Sequence, residues 1–228
     1  MGLGAAKADR EKALLRAKNM AADTKTHWND IYATREDPSL SWHQEYAAPS
    51  LELLAKTALG KEDLILDVGS GTSVFVPNLL DLGYRNIVAT DISEVALNKS
   101  KQKLGGKAGL VAFIVDDIAH STKVRNLRNV ALWHDRAVFH FLTKTEEQQA
   151  YLETLKKVLK AGGYVIISTF SLEGPKKCSG LDVVNYDADQ LAQFLGPDFI
   201  LRESFNYRHP LPSGQERTFV YALFERKK

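Results

Sequence analysis

The stretch LILDVGSGTS, residues 64–73, decides the fold. A contiguous apolar run ends in Gly69, Ser70 and Gly71, and an apolar, helix-like segment follows. Contiguous rather than alternating apolar residues are typical of a parallel strand that is covered on both faces. Glycines at the carboxyl end of such a strand let the backbone approach a ligand closely. The stretch therefore predicts the first strand and the binding turn of an open α/β sheet.

Four further runs of contiguous apolar residues follow along the chain. They are NIVATD, LVAFIVD, VALWH and GYVIISTF, at 86–91, 110–116, 130–134 and 163–170. Helix-like segments separate them, and such alternation implies right-handed crossovers in a doubly wound sheet. Two strand-like runs at 199–209 and 215–226 are joined by the turn-rich PLPSG, which predicts a hairpin. We expect an α/β fold: a doubly wound, mostly parallel seven-stranded sheet with an antiparallel C-terminal edge hairpin and helices on both faces.

Helix ends are also predicted from sequence signals. Ser93 is expected to cap a helix over 93–104. Thr145 and Gln148 have the spacing of a capping box, which would open a helix over 145–163 that closes on two glycines.

Length and composition predict one ordinary domain. The chain has 228 residues, of which 44% are hydrophobic and 25% charged, and we expect a single domain over 26–228 after a basic helical extension over 1–25. A net charge of +2 gives no reason to expect nucleic acid, and no apolar run approaches the roughly 20 residues of a membrane span. Cys178 is the only cysteine, which excludes an internal disulfide. We therefore predict a cytoplasmic location, with a mitochondrial one as an open alternative.

A phosphate-free nucleoside ligand is favoured by the residues around the glycine turn. Asp91 closes the second strand twenty residues after Gly71, where a carboxylate can accept hydrogen bonds from ribose hydroxyls. Val74 stands where the dinucleotide fingerprint requires a third small residue, and no Lys-Ser/Thr pair follows the glycines as in a P-loop. Asp67, just before the turn, would repel a polyphosphate and suits a cationic ligand instead. S-adenosylmethionine carries an ammonium and a sulfonium and no phosphate.

The segments LDVGSGTS, VATDIS and LKAGGYVIIST resemble the first, second and post-fourth motifs of Rossmann-like (class I) S-adenosylmethionine-dependent methyltransferases. The resemblance covers about residues 26–226 and implies S-adenosylmethionine as cofactor. It implies that the methionine part faces Asp67, Gly69 and Gly71, that Ser70 also contacts the cofactor, and that Asp91 holds the ribose. It further implies that Ile92 and Ile118 pack on the adenine and that Asp117 meets the adenine amino group. Asp116 should point the other way.

Charged residues follow the fourth predicted strand, in LWHDRAVFHFLT, residues 132–143. In such a sheet this strand lies beside the first, and its carboxyl end faces the ligand crevice. We predict His134 and Asp135 as a catalytic base or as acceptor-positioning groups, His134 also as a cofactor contact, and Arg136 as a partner of Asp135 or of an acidic acceptor. A purely structural Asp135–Arg136 pair stays open as the alternative. No metal is predicted, because His134 and His140 have no third ligand at a metal-like spacing.

A lid over the cofactor is implied by the resemblance for residues 26–60. Aromatic faces suit a cation, so Trp42 is predicted to contact the cofactor, Trp28 and Tyr32 the acceptor, and Tyr46 to complete the cap. Further candidates for contact with the acceptor are Phe139 and Cys178, the latter in a long loop over 171–187.

The acceptor is the least determined part of the prediction. The chain lacks the Asn/Asp-Pro-Pro-aromatic stretch of many family members that methylate amide or base nitrogens, and it resembles more the branch of thiopurine methyltransferases and small elongation-factor lysine methyltransferases. The leading prediction is methyl transfer by in-line displacement to a nucleophilic S, O or N of a small molecule. The alternatives are a lysine on a protein and, third, a catalytically inactive cofactor-binding scaffold. No nucleic acid or membrane partner is predicted, and the oligomeric state is left open.

Overall fold

The computed structural model describes residues 23–228, so residues 1–22 of the predicted basic extension lie outside the described residues. The strands are β1 (Leu64–Val68), β2 (Ile87–Asp91), β3 (Val111–Val115), β4 (Val130–Arg136), β5 (Leu159–Phe170), β6 (Lys177–Cys178), β7 (Leu181–Asp182), β8 (Phe199–Pro210) and β9 (Glu216–Arg226). The helices are α1 (residues 23–34), α2 (Ala48–Leu54), α3 (Phe75–Asp81), α4 (Glu94–Leu104), α5 (Thr145–Val158) and α6 (Ala188–Leu195). Short 3-10 helices lie at Asp37–Ser39, Gly105–Leu110, Ile118–His120, Val124–Asn126 and Phe139–Phe141.

One sheet carries the fold, in the strand order β3-β2-β1-β4-β5-β9-β8. Strands β1 to β5 pair in parallel, and β9 runs antiparallel to both β5 and β8. The prediction of a mostly parallel seven-stranded sheet with an antiparallel edge hairpin is confirmed. Because β4 lies beside β1 although two strands separate them in the chain, the strand order reverses there. Ligands of open α/β sheets bind at the carboxyl ends of the strands that flank such a reversal.

The side chains of β4 alternate between the two faces of the sheet. Leu132 packs in the core that contains α2 and α3, whereas Trp133 packs in the core that contains α5 and α6. Helices therefore cover both faces, as predicted. Because successive strand residues point to opposite faces, His134 faces the side of α2 and α3, and Asp135 faces the side of α5. Two neighbours in sequence thus enter different environments.

The predicted ends of one helix are wrong. Helix α5 ends at Val158, five residues early, and β5 begins at once because Leu159 is buried and pairs with Val130. The predicted capping box is absent: Thr145 is already helical, and the Gln148 amide donates instead to the Leu142 carbonyl at 2.8 Å. In contrast, the Ser93 cap of α4 is confirmed, since its hydroxyl accepts the Ala96 N–H at 3.1 Å.

None of the helices described between residues 23 and 228 combines the length and hydropathy of a membrane-spanning segment.

Candidate active site

Two adjoining cavities open at the carboxyl ends of the parallel strands. The larger has a volume of about 910 Å³ out to its mouth, and the smaller about 480 Å³. Both are lined by Gly69, Tyr32, Trp42 and Arg136, so the glycine turn and the lid meet where the cavities join.

Neither glycine of the turn has room for a side chain. Gly69 and Gly71 have φ angles of +58° and +53°, in the left-handed region that favours glycine. A Cβ atom on Gly69 would collide with the Val138 side chain, and one on Gly71 would collide with the Tyr32 hydroxyl. Between them the Ser70 N–H donates to the Thr90 carbonyl at 2.8 Å, which fastens the turn to β2. The turn is therefore a preformed cradle of backbone at the end of β1.

Asp91 lies at the end of β2, and its carboxylate has hydrogen-bond acceptor positions that the protein does not use. Its Oδ2 accepts the Gly71 N–H at 2.9 Å, and its Oδ1 accepts the Ser93 N–H at 2.7 Å. Each carboxylate oxygen can accept two hydrogen bonds, so one position on each oxygen remains for a ligand in the larger cavity, which Asp91 lines. Burial raises the pKa of Asp91 to about 6. The arrangement fits the two hydroxyls of a ribose.

Asp67 and His134 form a buried pair beneath the smaller cavity. Asp67 Oδ1 lies 2.6 Å from His134 Nδ1, and His134 Nε2 lies 2.8 Å from the Ser50 hydroxyl. The imidazole also stacks on Phe75, with 3.8 Å between ring centroids. The other Asp67 oxygen, Oδ2, is buried and has no hydrogen-bond partner in the described part of the chain. A buried carboxylate oxygen without a donor fits a cationic group, such as the ammonium of the predicted cofactor.

The position of His134 argues against a role as the catalytic base. It is 1% exposed, its Nε2 faces the Ser50 hydroxyl, and it does not line the larger cavity, so it does not reach an acceptor there. Its contacts instead orient Asp67 at the edge of the smaller cavity.

The adenine-side prediction falls in the larger cavity, which Ile92, Ile118, Asp116 and Asp117 all line. Asp117 Oδ1 caps the following 3-10 helix by accepting the Ala119 N–H at 2.9 Å. Asp116 accepts the Ser121 hydroxyl at 2.7 Å and several backbone N–H groups of residues 122–124, so its oxygens turn toward that loop. The other Asp117 oxygen, Oδ2, lies 2.9 Å from His120 Nδ1, so within the described residues Asp117 has two protein contacts where Asp116 has five, and it keeps more acceptor positions for an adenine.

Asp135 does not line either cavity. Its side chain is fully buried on the α5 face, where it accepts the Tyr151 hydroxyl at 2.8 Å and the backbone N–H groups of Val138 and Phe139 at 3.1 and 3.3 Å. Burial raises its pKa to about 6. The prediction that Asp135 contacts the acceptor is therefore corrected: it holds the turn after β4 in place. The alternative Asp135–Arg136 pair is also wrong, since their side chains have separate partners.

Arg136 connects the lid to the hairpin. Its Nε–H donates to the Tyr221 hydroxyl at 3.0 Å, and its Nη1–H donates to the Trp42 carbonyl at 2.9 Å. Its Nη2 is buried without a hydrogen-bond partner among residues 23–228. The guanidinium also lies 5.5 Å from the centre of the Phe219 ring. Arg136 is the one residue of the predicted catalytic trio that reaches the larger cavity.

Aromatic side chains of the N-terminal segment cover the larger cavity. Trp28 lies edge-on to Trp42 and to Phe141, with ring centroids 5.8 and 5.1 Å apart, and Tyr32 lies 6.2 Å from Trp42. All four line the cavity. Tyr46 does not join them: it is 55% exposed, so its predicted place in the cap is wrong.

Polar contacts fasten this segment. The side-chain oxygen of Asn29, in α1, accepts the Ser93 hydroxyl at 2.8 Å, which joins α1 to the start of α4.

The two remaining acceptor candidates differ in position. Phe139 is fully buried against Tyr151, Tyr186 and Phe194, so it is a core residue and its predicted acceptor contact is wrong. Cys178 lines the larger cavity, although its side chain is only slightly exposed. Burial raises the pKa of its thiol.

Sequence reasoning missed the far wall of the larger cavity, which is formed by Phe170, Arg217 and Phe219. Arg217, Phe219 and Tyr221 occupy alternate positions of β9, so they share one face of the sheet. That alternation was readable in ERTFVYALFER, but only the strand order shows that β9 lies beside β5, where Arg217 and Phe219 reach the larger cavity.

Comparison with known proteins identifies the family. A family model described as a methyltransferase domain matches residues 59–196, more than half of the chain. The eEF1A lysine and N-terminal methyltransferase of Mus musculus is 27% identical over 161 residues, which make up 68% of this chain and 22% of that protein. This chain therefore spans about a fifth of the length of that relative.

Two solved structures share the fold. A SAM-dependent methyltransferase from Anabaena variabilis superposes with a TM-score of 0.71 at 14% identity, covering 91% of this chain and 95% of its own. The 1,6-didemethyltoxoflavin-N1-methyltransferase of Burkholderia thailandensis, solved with 1,6-didemethyltoxoflavin and S-adenosylhomocysteine, superposes with a TM-score of 0.64 at 18% identity, covering 96% and 90%. The glycine cradle, the spare acceptors of Asp91 and the unpaired oxygen of Asp67 all fit that cofactor. The chain therefore belongs to the methyltransferase domain family, and it has the fold of these two solved methyltransferases.

Proposed function

We propose that this chain is an enzyme that transfers the methyl group of S-adenosylmethionine to a nucleophilic S, O or N atom of a small, largely apolar molecule. The observation that carries this proposal is the extent of the larger cavity. Beyond the residues that fit the cofactor, it continues into a compartment walled by Trp28, Phe141, Phe170 and Phe219. Concave, aromatic-lined sites of several hundred Å³ are typical of small-molecule ligands.

The cofactor, when bound, supplies a methyl group on a sulfonium, which is already a good electrophile. We propose that Asp67 meets its ammonium, that Asp91 accepts from the ribose, and that Asp117, Ile92 and Ile118 border the adenine. The lid residues Trp28, Tyr32 and Trp42 then exclude water and orient the acceptor. For displacement at a good electrophile, alignment and desolvation provide most of the acceleration.

In this proposal no protein group removes a proton from the acceptor, which binds already deprotonated. The described residues that line the larger cavity include no histidine, lysine or glutamate. Its three aspartates lie on the cofactor side. Burial raises the pKa values of the Tyr32 hydroxyl and the Cys178 thiol, so both stay protonated at neutral pH and cannot take up a proton. The nucleophile therefore enters with its lone pair free, as a thiolate, a phenolate or an unprotonated nitrogen.

A second candidate is a protein lysine, which is favoured by the name of the Mus musculus relative. Two arginines, Arg136 and Arg217, line the acceptor compartment and would repel a lysine ammonium. The charge of the wall therefore favours the small-molecule acceptor.

We keep the cytoplasm as the proposed location, because the chain has a single cysteine.

Labelled methyl transfer into a cell extract tests the proposal. Purified enzyme, extract and S-adenosylmethionine with a labelled methyl group are incubated, and the label is then divided between small molecules and protein. We expect label in the small-molecule fraction, which an Asp91→Ala enzyme fails to produce. Label confined to protein, and lost on the same substitution, would refute the proposal in favour of the second candidate.

A further inference from the structure

Charge is divided along the length of the larger cavity. Its acidic lining residues lie where β2 and β3 end: Asp91 is the last residue of β2, and Asp116 and Asp117 follow β3. Its basic lining residues are Arg136 at the end of β4 and Arg217 on β9, on the other side of the reversal in strand order. The cofactor end is therefore negative and the acceptor end positive.

Arg217 is held in place without being neutralised. Its Nη1–H donates to the Ser41 hydroxyl at 3.0 Å, and its guanidinium lies 5.7 Å from the centre of the Phe170 ring. Neither contact carries a negative charge. Within residues 23–228, neither Arg217 nor Arg136 forms an ion pair with a carboxylate.

A neighbouring histidine adds no positive charge to this wall. His209 is almost fully buried, and its Nε2 lies 3.1 Å from the Ser41 carbonyl oxygen. Burial first, and then the positive charges of Arg136 and Arg217, lower the pKa of His209 to about 4. The histidine therefore stays neutral at physiological pH and adds no charge of its own, while both guanidiniums act on the same wall.

We infer that the acceptor bears an acidic group, a carboxylate or a phosphate, which pairs with the Arg217 guanidinium while its apolar body lies between the aromatic walls. This inference rests on the proposed function and narrows its substrate class. A guanidinium presents several N–H donors in a fixed fork, and a carboxylate or phosphate can take two of them together. Ser41 occupies Nη1 of Arg217, and the Cys178 thiol, which burial keeps protonated, also contacts the guanidinium; the N–H donors that these two groups leave are available to the acceptor.

Binding of three ligands of matched shape tests the inference without requiring turnover. The enzyme is first saturated with S-adenosylhomocysteine, which keeps the probes out of the cofactor crevice. Naphthalene-2-carboxylate, its amide and the corresponding naphthylmethylammonium are then titrated by calorimetry. We expect the carboxylate to bind about tenfold or more tightly than the amide, since a hydrogen-bonded charge contributes this much, and the ammonium to bind most weakly.

Variants assign the preference to one residue. Arg217→Gln should remove the difference between carboxylate and amide, and Arg217→Lys should retain only part of it, because a lysine keeps the charge without the fork. Arg208→Gln is the matched control: Arg208 lies on β8 with a side chain 79% exposed, and it should leave the preference intact. If Arg217→Gln fails to fold, the lysine variant and the wild-type ligand series still decide.

The outcomes separate this inference from the proposed function. Equal binding of carboxylate and amide, or a preference that survives Arg217→Gln, would overturn the acidic-group inference even if small molecules are methylated. Methylation of protein alone in the extract assay would overturn the proposed function itself.

Discussion

Asp91 offers the sharpest test of the cofactor site, because the structure counts its hydrogen bonds. Gly71 and Ser93 take one acceptor position on each oxygen, so two positions are left for ribose hydroxyls. A hydrogen bond to a charged group contributes about 1.5–3 kcal/mol. Loss of two such bonds in Asp91→Ala amounts to about 3–6 kcal/mol, or roughly 10²- to 10⁴-fold in the Kd of S-adenosylhomocysteine. Asp91→Asn keeps one acceptor oxygen and should lose about half of that free energy.

The pH dependence of binding provides an independent readout of the same carboxyl. The pKa of Asp91 in the free enzyme is raised to about 6 by burial, and hydroxyl donors favour the ionised form, so binding lowers that pKa. Below pH 6 binding must therefore release a proton, and affinity should fall by up to about tenfold per pH unit. Above pH 6 it should be flat. In Asp91→Asn this dependence should disappear.

Isothermal titration with S-adenosylhomocysteine between about pH 5 and 8 measures both effects. Asp81→Asn serves as the control, since Asp81 lies on α3 with a side chain 62% exposed and should bind like the wild type. A Kd for Asp91→Ala within threefold of wild type would refute the assignment of Asp91 to the ribose.

Four further substitutions test other contacts. Gly71→Ala should lower the Tm far more than Gly105→Ala, because both glycines have a φ of +53° but only Gly71 would gain a clash, and equal shifts in scanning calorimetry would contradict this. Tyr151→Phe should lower the free energy of unfolding in urea by about 2–4 kcal/mol at neutral pH, because Asp135 loses a hydrogen-bond donor. This difference should shrink toward pH 4, because Asp135, whose pKa the variant raises further above 6, is then protonated. A difference that does not change with pH would contradict the role of the Tyr151–Asp135 hydrogen bond. Asp135→Asn should reduce kcat more than cofactor affinity, since the turn after β4 shifts, and unchanged turnover would leave Asp135 a purely structural residue. Asp67→Asn should weaken S-adenosylhomocysteine about tenfold but not 5′-methylthioadenosine, which lacks the ammonium; parallel losses would disprove the Asp67 assignment.

Residues that recur at fixed positions relative to strand ends were predictable from the sequence. The first strand, the glycine turn and Asp91 are set by local pattern, because a parallel strand buried on both faces is a contiguous apolar run and its ligand turn follows directly. The order of the sheet followed from the same runs and from the two long strands at the end of the chain. Local sequence pattern therefore predicts the residues on the cofactor side of the site.

What each side chain of β4 contacts was not predictable in the same way. A strand covered on both faces carries no alternation that separates one face from the other, so VALWHDR does not tell which of His134 and Asp135 faces the crevice. Their partners lie on helices: Ser50 is 84 residues from His134, and Tyr151 is 16 residues from Asp135, so neither contact can be read from the strand itself. The acceptor compartment has the same origin: Arg217 reaches it only because β9 inserts between β5 and β8.

The two hydrogen bonds of Arg136 join parts of the chain that are made far apart in time. Trp42 belongs to the segment before β1, whereas Tyr221 belongs to the strand that completes the sheet. A ribosome synthesises chains from the amino end and releases Trp42 long before Tyr221. Because Arg217 and Phe219 of β9 form part of the wall of the larger cavity, a nascent chain has no complete acceptor compartment until this strand has been made and has entered the sheet.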